Sequence, residues 1–287
     1  MPTVAFITSA EIGDLTADDR LVVAPLAARG VEVVPAVWTA DVAWDTYDLV
    51  VIRSPWDWYR DAKRFSALLE DLSRRGNLCN HDAHRWLDKR YLARLGERGV
   101  RVPPTDVVRD TGELEAKLAR ARSSKSVLKP ATAAAAHGAR RFDSSDLATA
   151  RAALDAILHQ GDVALLQPYF EAIETDGEWS TIFFGREYSH AVKKRPRDGD
   201  FRVQEEHGGT NEPAIASREF IDEARRAIEA ASQEGFLYAR VDGIVIPELG
   251  GFAVTELEVV EPELFLRMDA GAPERFAAAI ASRLRLY

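Results

Sequence analysis

The segment between Tyr238 and Glu258 constrains the fold more than any other part of the sequence. Both halves are rich in β-branched and aromatic residues, which is typical of strands, and a Gly-Gly pair lies between them. Pro247 cannot donate a hydrogen bond to a strand ladder, so a loop is expected to begin there rather than a tight turn at the two glycines. The segment is therefore predicted to form an antiparallel β-hairpin.

A hairpin that is symmetric about Leu249 places particular side chains opposite one another. The facing pairs are Ile246 with Phe252, Ile244 with Val254, Asp242 with Glu256, and Arg240 with Glu258. All eight side chains then share one face, because side chains alternate between the two faces of a strand. A slip of one residue would move the charged side chains to the other face, so the chemistry of this face depends on the register.

In this register the carboxylates of Asp242, Glu256 and Glu258 converge beside Arg240. Like charges repel one another unless a cation lies between them, and a divalent metal ion meets that need. Oxygen ligands favour Mg²⁺ or Mn²⁺ over zinc, usually with help from substrate phosphates. The alternative is a solvated face with cross-strand salt bridges, and the spacing alone supports both interpretations equally.

Length and charge limit the classes of protein that remain. A chain of 287 residues can form two domains or three small ones, each with its own core. The net charge of −9 and the pI near 5.3 argue against a nucleic-acid-binding surface. Cys79 is the single cysteine, which excludes an intrachain disulfide and a cysteine-based zinc site. No export signal or membrane-spanning stretch is recognised, so a cytoplasmic protein is expected.

The first part of the chain alternates between strand and helix patterns. Strands are predicted at residues 4–7, 31–34 and 48–53, with helices at 18–29 and 62–75 and a possible fourth strand at 78–80. This alternation predicts a small doubly wound α/β domain. No G-x-G-x-x-G sequence follows any of the strands, so a dinucleotide-binding fingerprint is absent.

Ligands of doubly wound sheets bind beyond the carboxyl ends of the strands, where two polar stretches lie. One follows the first strand, and the other combines an arginine and an aspartate with aromatic residues, which suits a small zwitterion gripped through its carboxylate. In the alternative interpretation the aromatic residues simply cover the next helix, which is the favoured role for Trp58. The candidate substrate-binding residues are Thr8, Ser9, Arg53, Ser54, Trp56 and Asp57.

The middle of the chain places a lysine at the end of a predicted strand, followed by small residues. Residues 126–130 form the strand, and an Ala-rich run extends from 131 to 142. In isolation four consecutive alanines favour a helix. Between two strands, a small-residue loop would instead let backbone N–H groups approach phosphates beside Lys129. A strand is expected at 163–170, a hairpin at 178–194, and a further strand at 200–204 within a basic region that could equally be a solvated face.

Taken in order from Lys89 to the C-terminus, these features resemble the ATP-grasp superfamily, whose members use ATP and Mg²⁺ to join a carboxylate to an amine. The resemblance implies an α/β ATP-grasp fold, with an N-terminal doubly wound domain at 1–100 and two α+β subdomains, 101–170 and 171–287, that hold ATP between them. The sequence departs from the family pattern in two places. Alanine replaces the usual glycine in the loop, and Glu258 stands where asparagine is common.

The resemblance also implies a role for individual side chains. ATP would contact Lys89, Lys129, Gln167, Pro168, Tyr169, Phe170 and Glu178. Without the resemblance, Glu178 is an ordinary strand carboxylate. Mg²⁺ or Mn²⁺ would be held by Asp242, Glu256 and Glu258. Arg240, Arg202 and Lys193 would be catalytic, and Gly208 and Gly209 would contact the substrate.

The branch that the chain resembles contains the D-cycloserine synthetase that closes the ring of O-ureido-D-serine. The implied reaction activates a small amino-acid-like carboxylate as an acyl phosphate, which a nitrogen nucleophile then attacks. Two alternatives stay open, namely a ligase that joins an amino acid to a second amine, peptide or thiol, and a nucleotide-binding regulator without catalysis. The expected partner is the small-molecule substrate, with no nucleic acid or membrane, and association with a second copy of the chain stays open.

Overall fold

The computed structural model describes residues 1–134 and 136–285, and in these residues twelve strands form three separate sheets. In the same part of the chain, no helix combines the length and the apolar character that crossing a membrane requires. The helices are α1 (Ala17–Arg20), α2 (Val23–Ala27), α3 (Ala62–Arg75), α4 (Tyr91–Glu97), α5 (Thr111–Leu118), α6 (Leu147–His159), α7 (Ala172–Thr175), α8 (Arg218–Ala231) and α9 (Ala272–Arg283).

The first sheet is parallel, in the order β2-β1-β3. Its strands are β1 (Thr3–Thr8), β2 (Glu32–Val37) and β3 (Leu49–Ser54). The predicted strands and α3 are confirmed, whereas the predicted helix at 18–29 is divided into α1 and α2. The ring of Pro25 excludes a continuous helix, because it clashes with the carbonyl four residues earlier. The possible strand at 78–80 is only an isolated bridge between Val50 and Leu78.

The second sheet is antiparallel, in the order β4-β7-β5-β6, and α5 and α6 pack on it. Its strands are β4 (Asp106–Val108), β5 (Lys125–Pro130), β6 (Arg140–Asp143) and β7 (Ala164–Pro168). In the Ala-rich run, residues 131–134 and 136–139 form bends and turns and residues 140–142 belong to β6, which confirms a loop and not a helix between the strands. Ala135 of this run lies outside the described residues.

The third sheet is antiparallel, in the order β10-β9-β8-β11-β12. Its strands are β8 (Glu178–Phe184), β9 (Glu187–Arg195), β10 (Thr210–Ala214), β11 (Tyr238–Ile246) and β12 (Gly251–Glu258). The predicted strand at 200–204 is wrong, since this segment is a loop. The Asp200 carboxylate accepts hydrogen bonds from the backbone N–H groups of Phe201 and Arg202, a local turn that competes with strand pairing. The division into three domains stays a prediction.

The β11–β12 hairpin confirms the charged half of the predicted register. Arg240 pairs with Glu258, and Asp242 pairs with Glu256. Beyond Asp242 the register shifts, because Thr255 is an extra residue in β12 and forms a β-bulge. The bulge leaves the charged pairs in place.

The apolar half of the predicted register is wrong for the same reason. Ile244 pairs with Ala253, not Val254, and Ile246 pairs with Gly251, not Phe252. Phe252 therefore turns to the opposite face of the sheet, where its ring packs on Phe220 of α8 with a centroid distance of 4.6 Å. Because of the bulge, the two halves of β12 turn opposite faces towards the side of the sheet on which Asp242 lies.

Buried hydrogen bonds join the first sheet to the third. The Asn80 side chain donates to the carbonyl oxygens of Tyr238 (3.0 Å) and Val259 (2.7 Å). The Tyr238 hydroxyl lies 2.6 Å from the carbonyl oxygen of Ile52 in β3 and 2.7 Å from that of Val260. Because these groups are buried, the joint holds the loop that follows β12 against the carboxyl end of the first sheet.

Replacing Tyr238 with Phe removes this hydroxyl and leaves buried carbonyls without their donor. We expect the free energy of unfolding to fall by about 1–3 kcal/mol. Tyr47→Phe is the control, since the partly buried Tyr47 packs in the first domain and its hydroxyl has no hydrogen bond to a described residue. Urea unfolding should show a loss within about 0.5 kcal/mol for that variant. Equal losses would contradict the structural role of the Tyr238 hydroxyl.

Candidate active site

Two connected cavities lie between the sheets. The inter-sheet cavity, of about 160 Å³, separates the second sheet from the β11–β12 hairpin. The large cavity, of about 490 Å³, lies between the loops of the first domain and the end of β12. Lys89 and Glu256 line both cavities, together with Ala133 and Ala136 of the Ala-rich loop. The two cavities therefore meet at a lysine-carboxylate pair beneath that loop.

All seven residues predicted to contact the nucleotide line the inter-sheet cavity. They are Lys89, Lys129, Gln167, Pro168, Tyr169, Phe170 and Glu178. Val127 and Ile244 contribute apolar walls on opposite sides, as a flat aromatic ring requires. The roles of these residues remain predictions, but the structure brings the whole set to one place.

Lys89 and Glu256 form the junction of the cavities, and Lys129 lines the inter-sheet cavity beside them. Lys89 lies in a turn before α4, and its Nζ is 2.7 Å from Glu256 Oε1. Although burial opposes it, this pairing raises the pKa of Lys89 above its ordinary value. Burial, with the charge of Lys89 beside it, lowers the pKa of Lys129 to about 8. A bound phosphate would compensate both cations, so the junction suits the phosphate end of a nucleotide.

Asp242 is the centre of a buried charge network. Its Oδ2 lies 2.8 Å from Lys194 Nζ, and its Oδ1 accepts hydrogen bonds from Ser180 (2.7 Å) and Arg240 (3.0 Å). Burial alone would raise the pKa of Asp242, but Arg240 and Lys194 hold it well below its ordinary value. Lys194 also lies 2.7 Å from Glu178 Oε2. Asp242 is therefore ionised and bound on several sides.

The expectation of three carboxylates beside a single arginine needs correction. Each has a basic partner, because Lys194 reaches Asp242, Lys89 reaches Glu256, and Arg240 lies 2.5 Å from Glu258. Cross-strand and neighbouring-element ion pairs, the alternative interpretation of this face, are thus present in the structure.

Within residues 1–134 and 136–285, no group of three or more His, Cys, Asp or Glu side chains is arranged to hold a metal ion. Glu256 and Glu258 line the large cavity, and burial, with Glu256 and Asp242 nearby, raises the pKa of Glu258 to about 8. Mg²⁺ in nucleotide sites usually takes one or two carboxylates and completes its shell with phosphate oxygens and water. The glutamate pair fits that requirement, and the three-ligand set stays a prediction.

The structure corrects the choice of Lys193 as the basic residue of the site. Lys193 points away from the cavities, 2.7 Å from Asp176 and over the ring of Trp179. An unbulged β8–β9 hairpin would place Lys193 opposite Glu178, but Ser189 is an extra residue in β9. This bulge shifts the pairing by one, so Lys194 stands opposite Glu178 and lines the large cavity.

The other predicted residues of the third subdomain are only partly brought together. Arg240 lines the large cavity and Arg202 lines the inter-sheet cavity, where Asp200 holds the Arg202 guanidinium at 2.8 Å. Gly208 and Gly209 do not line either cavity. A side chain at Gly209 would place its Cβ 2.1 Å from the carbonyl oxygen of Val203, so this glycine permits close packing of the loop.

Three of the six substrate-binding residues that are predicted in the first domain line the large cavity, namely Ser9, Trp56 and Asp57. Thr8 and Ser54 lie behind it and share a hydrogen bond of 3.0 Å.

Arg53 does not reach the cavity, which corrects its predicted contact with a substrate carboxylate. Its guanidinium is buried, with Nε 2.8 Å from Asp19 and a terminal nitrogen 3.1 Å from the carbonyl oxygen of Pro262. It also lies over the rings of Tyr238 and Phe276, at 5.2 and 5.6 Å. Its donors are occupied within the protein, so Arg53 supports the loop after β12.

The cavities also expose residues that the sequence reasoning missed. Thr255, placed by the bulge, donates a hydrogen bond of 2.9 Å to Glu178. Glu261 lies on the wall of the large cavity, and so does Tyr59, whose ring is 4.9 Å from that of His137. The facing pairs of the predicted hairpin could not reveal them, because their positions depend on a bulge or on packing between domains.

Known families match both parts of this architecture. Residues 95–270 match the model of the ATP-grasp domain of prokaryotic glutathione synthetase, and residues 4–80 match that of the N-terminal domain of D-cycloserine synthetase DcsG. The chain therefore belongs to the ATP-grasp family of ligases, as the resemblance predicted, and is an enzyme of that class.

Individual relatives narrow the resemblance. The chain is 32% identical over 263 residues to the cycloserine biosynthesis protein DcsG of Streptomyces lavendulae, covering 85% of this chain and 86% of the relative. The crystal structure of D-cycloserine synthetase DcsG matches with a TM-score of 0.89 and 30% identity, covering 98% of this chain and 99% of that one. The D-alanine–D-alanine ligase of Bacillus anthracis, at 15% identity and a TM-score of 0.67 over 99% and 98% of the chains, shares the fold.

The lowered pKa of Lys129 predicts that nucleotide affinity depends on pH. A bound phosphate raises this pKa, so binding takes up a proton when the free lysine is neutral. Above a pH of about 8, ADP affinity should fall with a limiting slope of roughly tenfold per pH unit. Calorimetric titration between pH 7 and 9 measures this slope. In Lys129→Arg the slope should be absent, because arginine stays charged, and a flat profile for the wild type would contradict the assignment.

The opposite orientations of Lys193 and Lys194 predict unequal effects of replacing each with Met. Lys194→Met leaves buried carboxylates without their partner and should cost about 3–5 kcal/mol of unfolding free energy. Lys193→Met removes a pair with the exposed Asp176 and should cost about 1 kcal/mol or less. Denaturant unfolding in nucleotide-free buffer compares the variants directly. The reverse order would mean that the β8–β9 bulge is misplaced.

Proposed function

We propose that this ligase uses ATP to activate the carboxylate of a small amino-acid-like substrate as an acyl phosphate, and that a nitrogen of the same molecule then closes a ring. The observation that carries the proposal is the meeting of the two cavities at Lys89 and Glu256. A nucleotide in the inter-sheet cavity would present its terminal phosphate at this junction, directly beside a substrate in the large cavity.

The nucleotide would lie between the second sheet and the hairpin. Its base would pack between apolar walls that include Val127 and Ile244, and Glu178 would face the ribose hydroxyls. Lys129 and Lys89 would bind the phosphates, which explains why two partly buried lysines lie close together. The same positions hold for ATP and ADP, so ADP is a suitable probe of the site.

Glu256 and Glu258 would hold Mg²⁺ together with phosphate oxygens. The ion, when bound, neutralises charge on the transferred phosphoryl group. Asp242, whose oxygens are engaged by Lys194, Arg240 and Ser180, would fix the hairpin and its arginine.

The reaction needs no protein nucleophile. A substrate carboxylate oxygen attacks the terminal phosphorus, and the bond to ADP breaks. The nitrogen then attacks the acyl carbon, so that a C–N bond forms and the C–O bond to phosphate breaks. Arg240, held by Asp242 and by the carbonyl oxygen of Glu263 (3.0 Å), lies on the cavity wall where it could stabilise the oxygen that becomes negative.

Ring closure is favoured over joining two molecules by the likeness to D-cycloserine synthetase across nearly the whole chain. A cavity of about 490 Å³ also has the size of a site for one small molecule. The joining of two amino compounds is the second candidate, because the ATP-grasp match to glutathione synthetase covers the catalytic part of the chain.

Ring closure predicts that the enzyme with Mg-ATP and O-ureido-D-serine releases ADP without any added amine. Mass spectrometry should then find a product lighter than the single substrate. A panel of other small amino acids, each with and without a second amine, completes the test. ADP release only with two substrates and a heavier product would establish joining instead. ATP binding without ADP release under any condition would favour a regulator.

A further inference from the structure

We propose that Glu261 binds the ammonium group of the substrate in the large cavity, so that the enzyme selects α-amino acids over analogues without the amine. This inference rests on the proposed function and specifies its substrate class. Glu261 lies on the cavity wall and is partly accessible from it. Among the side chains predicted from the sequence for substrate binding, none lies in the segment that follows β12.

The first domain holds Glu261 in a fixed position. Trp58 Nε1 donates to a Glu261 carboxylate oxygen at 2.5 Å, and Trp56 Nε1 donates to the Glu261 carbonyl oxygen at 3.0 Å. Arg53 binds the next carbonyl oxygen, that of Pro262, at 3.1 Å. Arg53 of β3 and the two tryptophans that follow this strand thus hold the backbone and the carboxylate of Glu261, which is the preorganisation that a binding residue needs.

Most other carboxylates on this wall already have a cation. Glu256 pairs with Lys89, Glu258 with Arg240, and Glu263 with Arg267. Glu261, by contrast, has no Lys, Arg or His nitrogen within 4.0 Å among the described residues. One oxygen is held by an indole N–H, so the second can accept from a ligand.

Burial of an unpaired carboxylate is unfavourable, and in the free protein it raises the pKa of Glu261 to about 6. A substrate ammonium would supply the missing opposite charge and N–H donors. The charges of Lys89 and Glu256 also affect the pKa of Glu261, so Glu261 lies near the junction of the two cavities, where the nucleotide phosphate would lie. In an α-amino acid the ammonium and carboxylate share one carbon, so an ammonium at Glu261 leaves the carboxylate near the phosphate to be transferred.

The test compares Glu261→Gln with wild type on O-ureido-D-serine and on its analogue with hydrogen in place of the α-amine. ADP release gives kcat/KM for both compounds, and calorimetry gives their binding. Glutamine keeps the acceptor for Trp58 but removes the charge. We expect kcat/KM for the amino substrate to fall on the order of 100-fold, mainly through KM, with the analogue unaffected. ADP affinity and the melting temperature should stay at wild-type values.

Glu206→Gln is the matched control, because Glu206 lines the same cavity and, like Glu261, has no Lys, Arg or His nitrogen within 4.0 Å among the described residues. It should keep the discrimination between the two compounds. Discrimination that survives in Glu261→Gln, or is lost in Glu206→Gln instead, would overturn the proposal. A parallel loss for both compounds in Glu261→Gln would do the same.

Failure of the proposed function gives a different result. If wild type releases no ADP with any amino acid, the ring-closure chemistry is wrong, and calorimetric binding of the amine and its analogue still decides the role of Glu261. Equal binding of both compounds to wild type, or binding of neither, would overturn the ammonium site.

Discussion

The buried network around Asp242 is the interaction on which the site depends. Lys194, from β9, bridges Asp242 on β11 and Glu178 on β8, so three neighbouring strands are tied by opposite charges. A buried charge of this network that lost its partner would strongly destabilise the fold. Any shift in the register of these strands is therefore unfavourable. The same network fixes Arg240 at the cavity wall. The strand register, the pairing of charges and the position of Arg240 therefore depend on the same set of contacts.

Two β-bulges determine which side chains of the third sheet face the cavities. Ser189 in β9 brings Lys194, rather than its neighbour, opposite Glu178, and Thr255 in β12 adds a hydroxyl beside that glutamate. The second bulge also turns Phe252 towards α8, where its ring has an apolar neighbour. Each bulge reverses the direction of the side chains in one half of a strand and leaves the other half unchanged.

The first domain acts on the site largely through the loop that follows β12. Asn80 holds the start of this loop, Arg53 binds Pro262, and Trp58 orients Glu261. These contacts join residues that are more than 170 positions apart in sequence. The domain therefore shapes the wall of the large cavity by supporting side chains of the other domain, and it adds Ser9, Trp56 and Asp57 of its own.

The sequence by itself determined the parts of this protein that depend on local pattern. Alternation and turn residues were enough to predict α3, the three strands of the first sheet, and the pairing of Asp242 with Glu256. The resemblance located Gln167 and Pro168, the residues of β7 that line the inter-sheet cavity. The tertiary structure decided the rest. Lys194 replaces Lys193 because a bulge has no clear signature in sequence, and Arg53 turns inward because Asp19 and Pro262 meet it there. Burial and distant partners fix these side chains, and neither is a property of a local segment.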